Sequence, residues 1–310
     1  MSWMVLFALI LPKSFANELG KVWGYDSHLA PEYWGKLHGK EWDLCKSGKH
    51  QSPIAIDPSL LLFDPNLTNL HINTANVNGR LETNGLDITF SLDEDTQHLF
   101  NITGGPLSYS YKITDVKFHY GIKGYAGSEH KIGNRTFPAE VHMIGYNDDV
   151  YKSKPEAEIG AKGIVIIAVF LEIGSKPNYA MDEIVDHLPG MRKTDYKDMN
   201  TVYEKFINSW DLSHLLPNTD QYITYEGSFT QPGCQETVTW IIYNKPVYVS
   251  ENQLDLLRTH GKGDWNYKNT RPVQSINQRA VRTNINFKSK SRFCSMERKV
   301  NYKVNSFLDS

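Results

Sequence analysis

The sequence predicts a mostly β protein with a few short helices, on three observations. Between Leu60 and Gly121, short runs rich in β-branched and aromatic residues follow one another closely, separated by turn residues. Two of the breaks, Asn84-Gly85 and Gly104-Gly105, carry the chemistry of tight antiparallel hairpins, where a central residue needs positive φ. The run from Gly163 to Leu171 is apolar without alternation, the pattern of a strand buried on both faces.

In chain order, residues 4–11 form a short apolar run followed by Ser14-Phe15-Ala16, small residues where a signal peptidase cleaves. The expected division is a signal peptide over 1–16, one domain over 17–290 and a basic tail over 291–310. The leading run is too short to span a bilayer, and no later stretch is long and apolar enough to do so. Strands are expected at Asn69–Asn73, Asp87–Leu92, Phe100–Ile102, Ser108–Ile113, Asp115–Tyr120 and Pro138–Asn147. Helices are expected at Met199–Trp210 and Ser250–Thr259, the second with a capping box of Ser250 and Gln253.

A chain of 310 residues with 40% hydrophobic composition buries a substantial core. Its net charge of −2, from 33 basic and 35 acidic residues, gives no sign of nucleic-acid binding. Asn66-Leu67-Thr68, Asn101-Ile102-Thr103 and Asn134-Arg135-Thr136 are N-glycosylation sequons, which agree with a secreted, extracellular chain. The three cysteines, Cys45, Cys234 and Cys294, allow one bridge and one leftover, and counting alone does not pair them.

The chemistry gathers at two strands. Alternation places Asp115, Lys117 and His119 on one face, with Val116, Phe118 and Tyr120 on the other. In the second strand Glu140 and His142 share a face, so pairing the strands brings two imidazoles and three charged groups together. Facing imidazoles with a carboxylate behind them are a zinc-type arrangement. A catalytic zinc takes three protein ligands, and the residues supply two; two strand histidines are more often ordinary core or surface groups.

Phe118-His119-Tyr120-Gly121, Gly127-Ser128-Glu129-His130 and Ala139-Glu140-Val141-His142 together resemble the zinc-site region of the α-carbonic anhydrases. Further motifs fall in that family's order: Trp23-Gly24-Tyr25, Gln51-Ser52-Pro53-Ile54, Gly227-Ser228-Phe229-Thr230, Val238-Thr239-Trp240-Ile241, Arg271-Pro272-Val273-Gln274 and Arg282–Phe287. The resemblance covers about residues 20 to 290 and implies a large, twisted, mostly antiparallel central sheet. It also implies a Cys45–Cys234 bridge, which leaves Cys294 as an exposed thiol beside Arg292.

Carried over residue by residue, the metal positions are Lys117, His119 and His142. Thr230 and Glu129 match the pair that orients zinc-bound hydroxide, here as vestiges of a catalytic apparatus. Glu140 stands behind His142, the Asn269 carbonyl behind His119, and Asp115 behind position 117 in place of a neutral amide. Ile144, Ile166, Phe229 and Trp240 match the apolar wall where carbon dioxide lies, although ordinary core packing accounts for them equally well.

Four departures decide the expected activity. Lys117 carries no free lone pair as an ammonium, and deprotonating it at neutral pH costs about 4–5 kcal/mol. Asp115, two residues away on the same face, is expected to pair with it. Leu86 stands where fast enzymes carry a proton-shuttling histidine. Gly233 replaces a proline that the family holds in a cis bond, so the loop bearing Thr230 is expected to follow another path.

These departures resemble the acatalytic carbonic anhydrase-related proteins, chiefly their secreted X and XI branch, as do Asn244–Tyr248 and Tyr225–Ser228. The resemblance implies a secreted pseudoenzyme that binds an extracellular or cell-surface protein, in that branch neurexin-like neuronal receptors. Zinc is expected at low occupancy at most, with no other cofactor. The alternative is a slow zinc hydratase whose ligands are His119, His142 and either a neutral Lys117 or the Asp115 carboxylate. A third reading, polyanion binding by Lys288, Lys290, Arg292, Arg298, Lys299 and Lys303, competes with a merely solvated tail.

Overall fold

Alternation along the strands sorts their side chains onto two sides of one sheet. The computed structural model describes residues 22–191, 202–258 and 267–287. Its principal strands are β1 (Asn76–Thr83), β2 (Ile88–Leu92), β3 (Tyr111–Tyr120), β4 (Ala139–Asn147), β5 (Ile164–Ile173), β6 (Tyr203–Asp211), β7 (Tyr222–Gly227) and β8 (Val238–Tyr243). They lie in the order β6-β1-β2-β3-β4-β5-β8-β7, and shorter segments complete a sheet of 13 strands among the described residues. Most pairs are antiparallel, as expected, but β5 runs parallel to β8 and to Val247–Val249, so the sheet is mixed.

Both hairpin signals fall at connections between antiparallel partners. Asn84-Gly85 joins β1 to β2 with Gly85 at φ +82°, and Gly104-Gly105 leads from Asn101–Gly104 towards β3. The run around Gly163 becomes β5, buried through Leu171. Its alternate residues Val165, Ile167, Val169 and Leu171 enter the larger apolar core, while Ile164, Ile166, Ala168 and Phe170 enter a smaller one on the opposite face.

The expected strands Ser108–Ile113 and Asp115–Tyr120 are one element, β3, broken by a bulge. Ile113 and Asp115 oppose the consecutive residues Gly145 and Ile144 on β4, so Thr114 is the extra residue. Before it, Tyr111 and Ile113 face the larger core; after it, Val116, Phe118 and Tyr120 do. The bulge therefore switches parity and leaves Asp115, Lys117 and His119 for the other face.

One expected helix is a strand. Tyr203–Asp211 pairs antiparallel with β1 as an edge of the sheet, with an irregularity between Ile207 and Trp210 and Ser209 at φ +58°. The irregularity lets Ile207 and Trp210, three residues apart, both face the core, and this spacing mimics a helical stripe. The other expected helix forms over Glu251–Arg258. Its capping box is reciprocal: Gln253 N donates to Ser250 Oγ (3.3 Å) and Ser250 N to Gln253 Oε1 (3.0 Å). No helix among the described residues is long and apolar enough to cross a membrane. The expected signal peptide, Cys294 and the basic residues of the tail lie outside the described residues.

Candidate functional site

Strands β3 and β4 bring the two histidines together as the alternation requires. Lys117 lies opposite His142 and His119 opposite Glu140. The imidazole centroids are 4.3 Å apart and both side chains are buried. Each ring has one nitrogen committed to an acceptor behind it. The Asn269 carbonyl lies 2.9 Å from His119 Nδ1, so that nitrogen carries the proton and Nε2 keeps its lone pair. Glu140 Oε1 lies 2.8 Å from His142 Nε2, which leaves Nδ1 as the bare nitrogen.

Glu140 is held in turn. Its carboxylate accepts from the His130 backbone N–H (2.8 Å) and meets His130 Nδ1 at 2.6 Å, while the Tyr225 hydroxyl closes the far side of His130 at 2.7 Å. Burial alone would raise the Glu140 pKa, but His130 and His142 outweigh it and hold the carboxyl well below the usual range. Burial, with His119 alongside, pushes His142 down to about 3. The loop that supplies His130 and Glu129 depends on Gly127, because a Cβ there would lie 1.8 Å from the Pro138 carbonyl oxygen.

Glu129 is completely enclosed beside this pair. Its Oε1 accepts from Arg271 N at 2.7 Å, and Oε2 lies 3.9 Å from His142 Nδ1. Burial raises its pKa; His119, the Arg271 amide and the Thr230 hydroxyl each oppose that shift. Thr230 thus acts on the carboxyl, although Oε2 has no partner of full hydrogen-bond geometry. Arg271 ties this corner to the N-terminal segment by donating to the Ser52 and Cys45 carbonyls at 2.8 and 3.1 Å.

The other side of the site is wired differently from the sequence-based expectation. Asp115 does not pair with Lys117. Its Oδ2 takes the Lys154 ammonium at 2.5 Å and the Thr114 hydroxyl at 2.7 Å, and its Oδ1 accepts from Ser91 Oγ at 3.0 Å. Burial raises the Asp115 pKa, but Lys154 and Thr114 bring it below the ordinary value, with Lys117 contributing only from a distance. Lys154 comes from the short helix Lys154–Glu158, a contact that no sequence spacing announces.

Lys117 instead donates to Gln231 Oε1. Gln231 Nε2 donates to Asp87 Oδ2 at 2.5 Å, and Asp87 Oδ1 accepts from the Tyr25 hydroxyl at 3.2 Å and from Asn269 Nδ2 at 3.4 Å. Gln231 and Asp87 were visible beside Thr230 and Leu86, but no periodicity pointed to them. Gly233 adopts φ +100°, which no proline reaches, and Ser52–Pro53 is the cis peptide among the described residues. A proline could therefore not occupy position 233 in this loop conformation. The loop is tied down by the Cys45–Cys234 disulfide, whose Cα atoms are 5.0 Å apart.

Leu86 is buried among the larger core's side chains. Ile144, Ile166 and Trp240 pack in the smaller core, with partly buried Phe229 against them. A separate cleft of about 530 Å³ is lined by residues including Ile173, Lys176, Tyr179, His214 and Tyr248, and by none of these site residues.

The donor set does not fit a three-imidazole zinc. His119 and His142 present two bare nitrogens, while the third position carries an amine that already donates a hydrogen bond. Asp115 does not supply the missing ligand. Among the described residues, the metal-type clusters around His142 contain Glu129 or Glu140, and Asp115 belongs to neither.

The model of the eukaryotic-type carbonic anhydrase family matches residues 29–285. A Caenorhabditis elegans protein named "Putative carbonic anhydrase-like protein 2" is 36% identical over 277 residues, which are 86% of this chain and 80% of that protein. The chain belongs to the carbonic anhydrase family, and its likeness is to a member of the related-protein type.

Proposed function

We propose that this chain is a secreted carbonic anhydrase-related protein without carbon dioxide hydratase activity, whose scaffold serves extracellular recognition. The observation that carries the reading is Lys117: it stands opposite His142 in a ligand's place, with its ammonium bound to Gln231. Secretion is supported by the disulfide, which suits an oxidising compartment, and by the exposure of Asn66 and Asn134; Asn101 is half-buried. The partner we propose is an extracellular or cell-surface protein, neurexin-like by family resemblance. Exposed Ile173, Tyr179 and Tyr248 around the separate cleft are a surface suited to such contacts.

A slow zinc hydratase is the second reading, favoured by the two bare imidazole nitrogens. Metal content and activity of the intact protein distinguish the two. After equilibration with zinc and desalting, mass spectrometry should find clearly substoichiometric metal, and stopped-flow hydration should run at the uncatalysed rate. Stoichiometric zinc with turnover would overturn the pseudoenzyme reading.

A further inference from the structure

We propose that Gln231 and Asp87 are positioning residues that clamp the head of residue 117, so the metal position is closed by three side chains and not by Lys117 alone. The inference rests on the pseudoenzyme reading and deepens it.

The orientation of the clamp follows from donor and acceptor chemistry. An ionised carboxylate only accepts hydrogen bonds, so the end of the Gln231 amide that meets Asp87 is its NH2 group. The amide oxygen is thereby aimed at residue 117, where the ammonium satisfies it. Asp87 is itself fixed by Tyr25 and by Asn269, and Asn269 also supplies the carbonyl behind His119 and donates to the Phe118 carbonyl at 2.8 Å. The clamp is anchored in the same frame as the intact ligand.

The consequence concerns repair of the site. From the sequence, Lys117→His should complete a three-histidine set. In the structure, the new imidazole would meet an acceptor already facing it. That acceptor favours an N–H on the inner side, whereas a metal requires a lone pair there. On the outer side, where family members place a neutral amide, Asp115 is engaged with Lys154, Thr114 and Ser91. The environment around position 117 therefore selects against the ligating tautomer unless Gln231 is changed as well.

The test is zinc affinity of the full mature chain, measured by competition with a chromophoric chelator. Four forms are needed: wild type, Lys117→His, Lys117→His/Gln231→Ala and Lys117→His/Gln231→Thr. Misplaced partners of metal ligands typically cost 10–100-fold in affinity, so each double variant should bind zinc at least about tenfold more tightly than the single variant. Thermal midpoints in chelator should stay close together, which separates positioning from general loosening. Having two residues at position 231 guards against one of them failing to fold. If Lys117→His binds zinc within twofold of both double variants, the clamp is refuted while the pseudoenzyme reading stands. Tight zinc in the wild type would refute that reading instead.

Discussion

The two histidines and the lysine that faces them sit on the same pair of strands, yet their surroundings differ in kind. Around His119 and His142 the neighbouring groups each hold an imidazole in place: the Asn269 carbonyl, the Glu140 carboxylate, and His130 with Tyr225 behind it. Around Lys117 the neighbours serve a different arrangement, with Asp115 given to Lys154, Gln231 accepting from the ammonium, and Asp87 accepting from Gln231. The histidine half is also structural. Glu140 is fully buried with several donors on it, and removing them would strand a charge in the interior. The altered half is nearer solvent, with Lys117 and Lys154 only partly buried, so substitution there carries a smaller folding penalty. A changed side chain should cost the fold less at position 117 than at Glu140.

The largest effect should come from the tether of the altered half. Cys234 follows Gly233 in the loop that carries Thr230 and Gln231, and its bridge to Cys45 spans a sequence separation of 189. In the chain-entropy account, a loop of this length contributes about 5 kcal/mol. The Cys45→Ser/Cys234→Ser variant should lose stability of that order in urea melts. The zinc affinity of a Lys117→His background should also change once the loop is released. A loss under about 1 kcal/mol would mean that the loop is held by its hydrogen bonds alone.

The intact half can be probed through pH. Burial, with His119 alongside, pushes the folded His142 pKa down to about 3, against an ordinary value of about 6.5 when unfolded. Between those values the unfolded chain binds the extra proton, so stability rises with pH across the window. It is fully present above about 6.5 and declines as pH falls towards 3, by about 1.4 kcal/mol per pH unit for one proton and a few kcal/mol in all. Urea melts from pH 7 to 4 should show this slope, and His142→Asn should flatten it by about one proton. An unchanged slope would assign the acid sensitivity to other groups.

The division between the halves also marks how far the sequence could be read. Period-two alternation placed Lys117, His119, Glu140 and His142 on one face, because it depends only on neighbours along the strand. The β5 run and the Ser250 capping box were legible for the same reason. The Tyr203–Asp211 strand was not, since its irregularity reproduces the spacing of a helical stripe. Lys154 on Asp115 and Asp87 on Gln231 were hidden because they are contacts across separations of 39 and 144 residues, with no local pattern. Two residues apart on one face, Asp115 and Lys117 looked like a pair; the structure gives each a nearer partner.

The smallest expected effect tests that last assignment. Asp115 is nearly buried, and the Lys154 ammonium, 26% exposed, is the cation that neutralises it. Lys154→Met should therefore leave the carboxylate with only its hydroxyl donors and cost about 2 kcal/mol, below the 3–5 typical of fully enclosed pairs. Lys117→Met removes an amine bonded to a neutral amide and should cost under about 1 kcal/mol. The Asp115→Asn/Lys154→Met double variant should recover most of the first loss, since no unpaired charge remains. The acid limb supplies an independent sign. Lys154 helps keep the folded Asp115 pKa low, so the stability it gives is present above the unfolded carboxyl value and disappears as pH falls through the folded one. Without Lys154 the folded pKa rises towards or past the unfolded value, so in urea melts from pH 6 to 3 the loss of stability on acidification should be smaller than in the wild type. If Lys117→Met proves the costlier change and Lys154→Met is silent in both measurements, Asp115 belongs to Lys117 after all, and the two halves of the site are coupled through that pair.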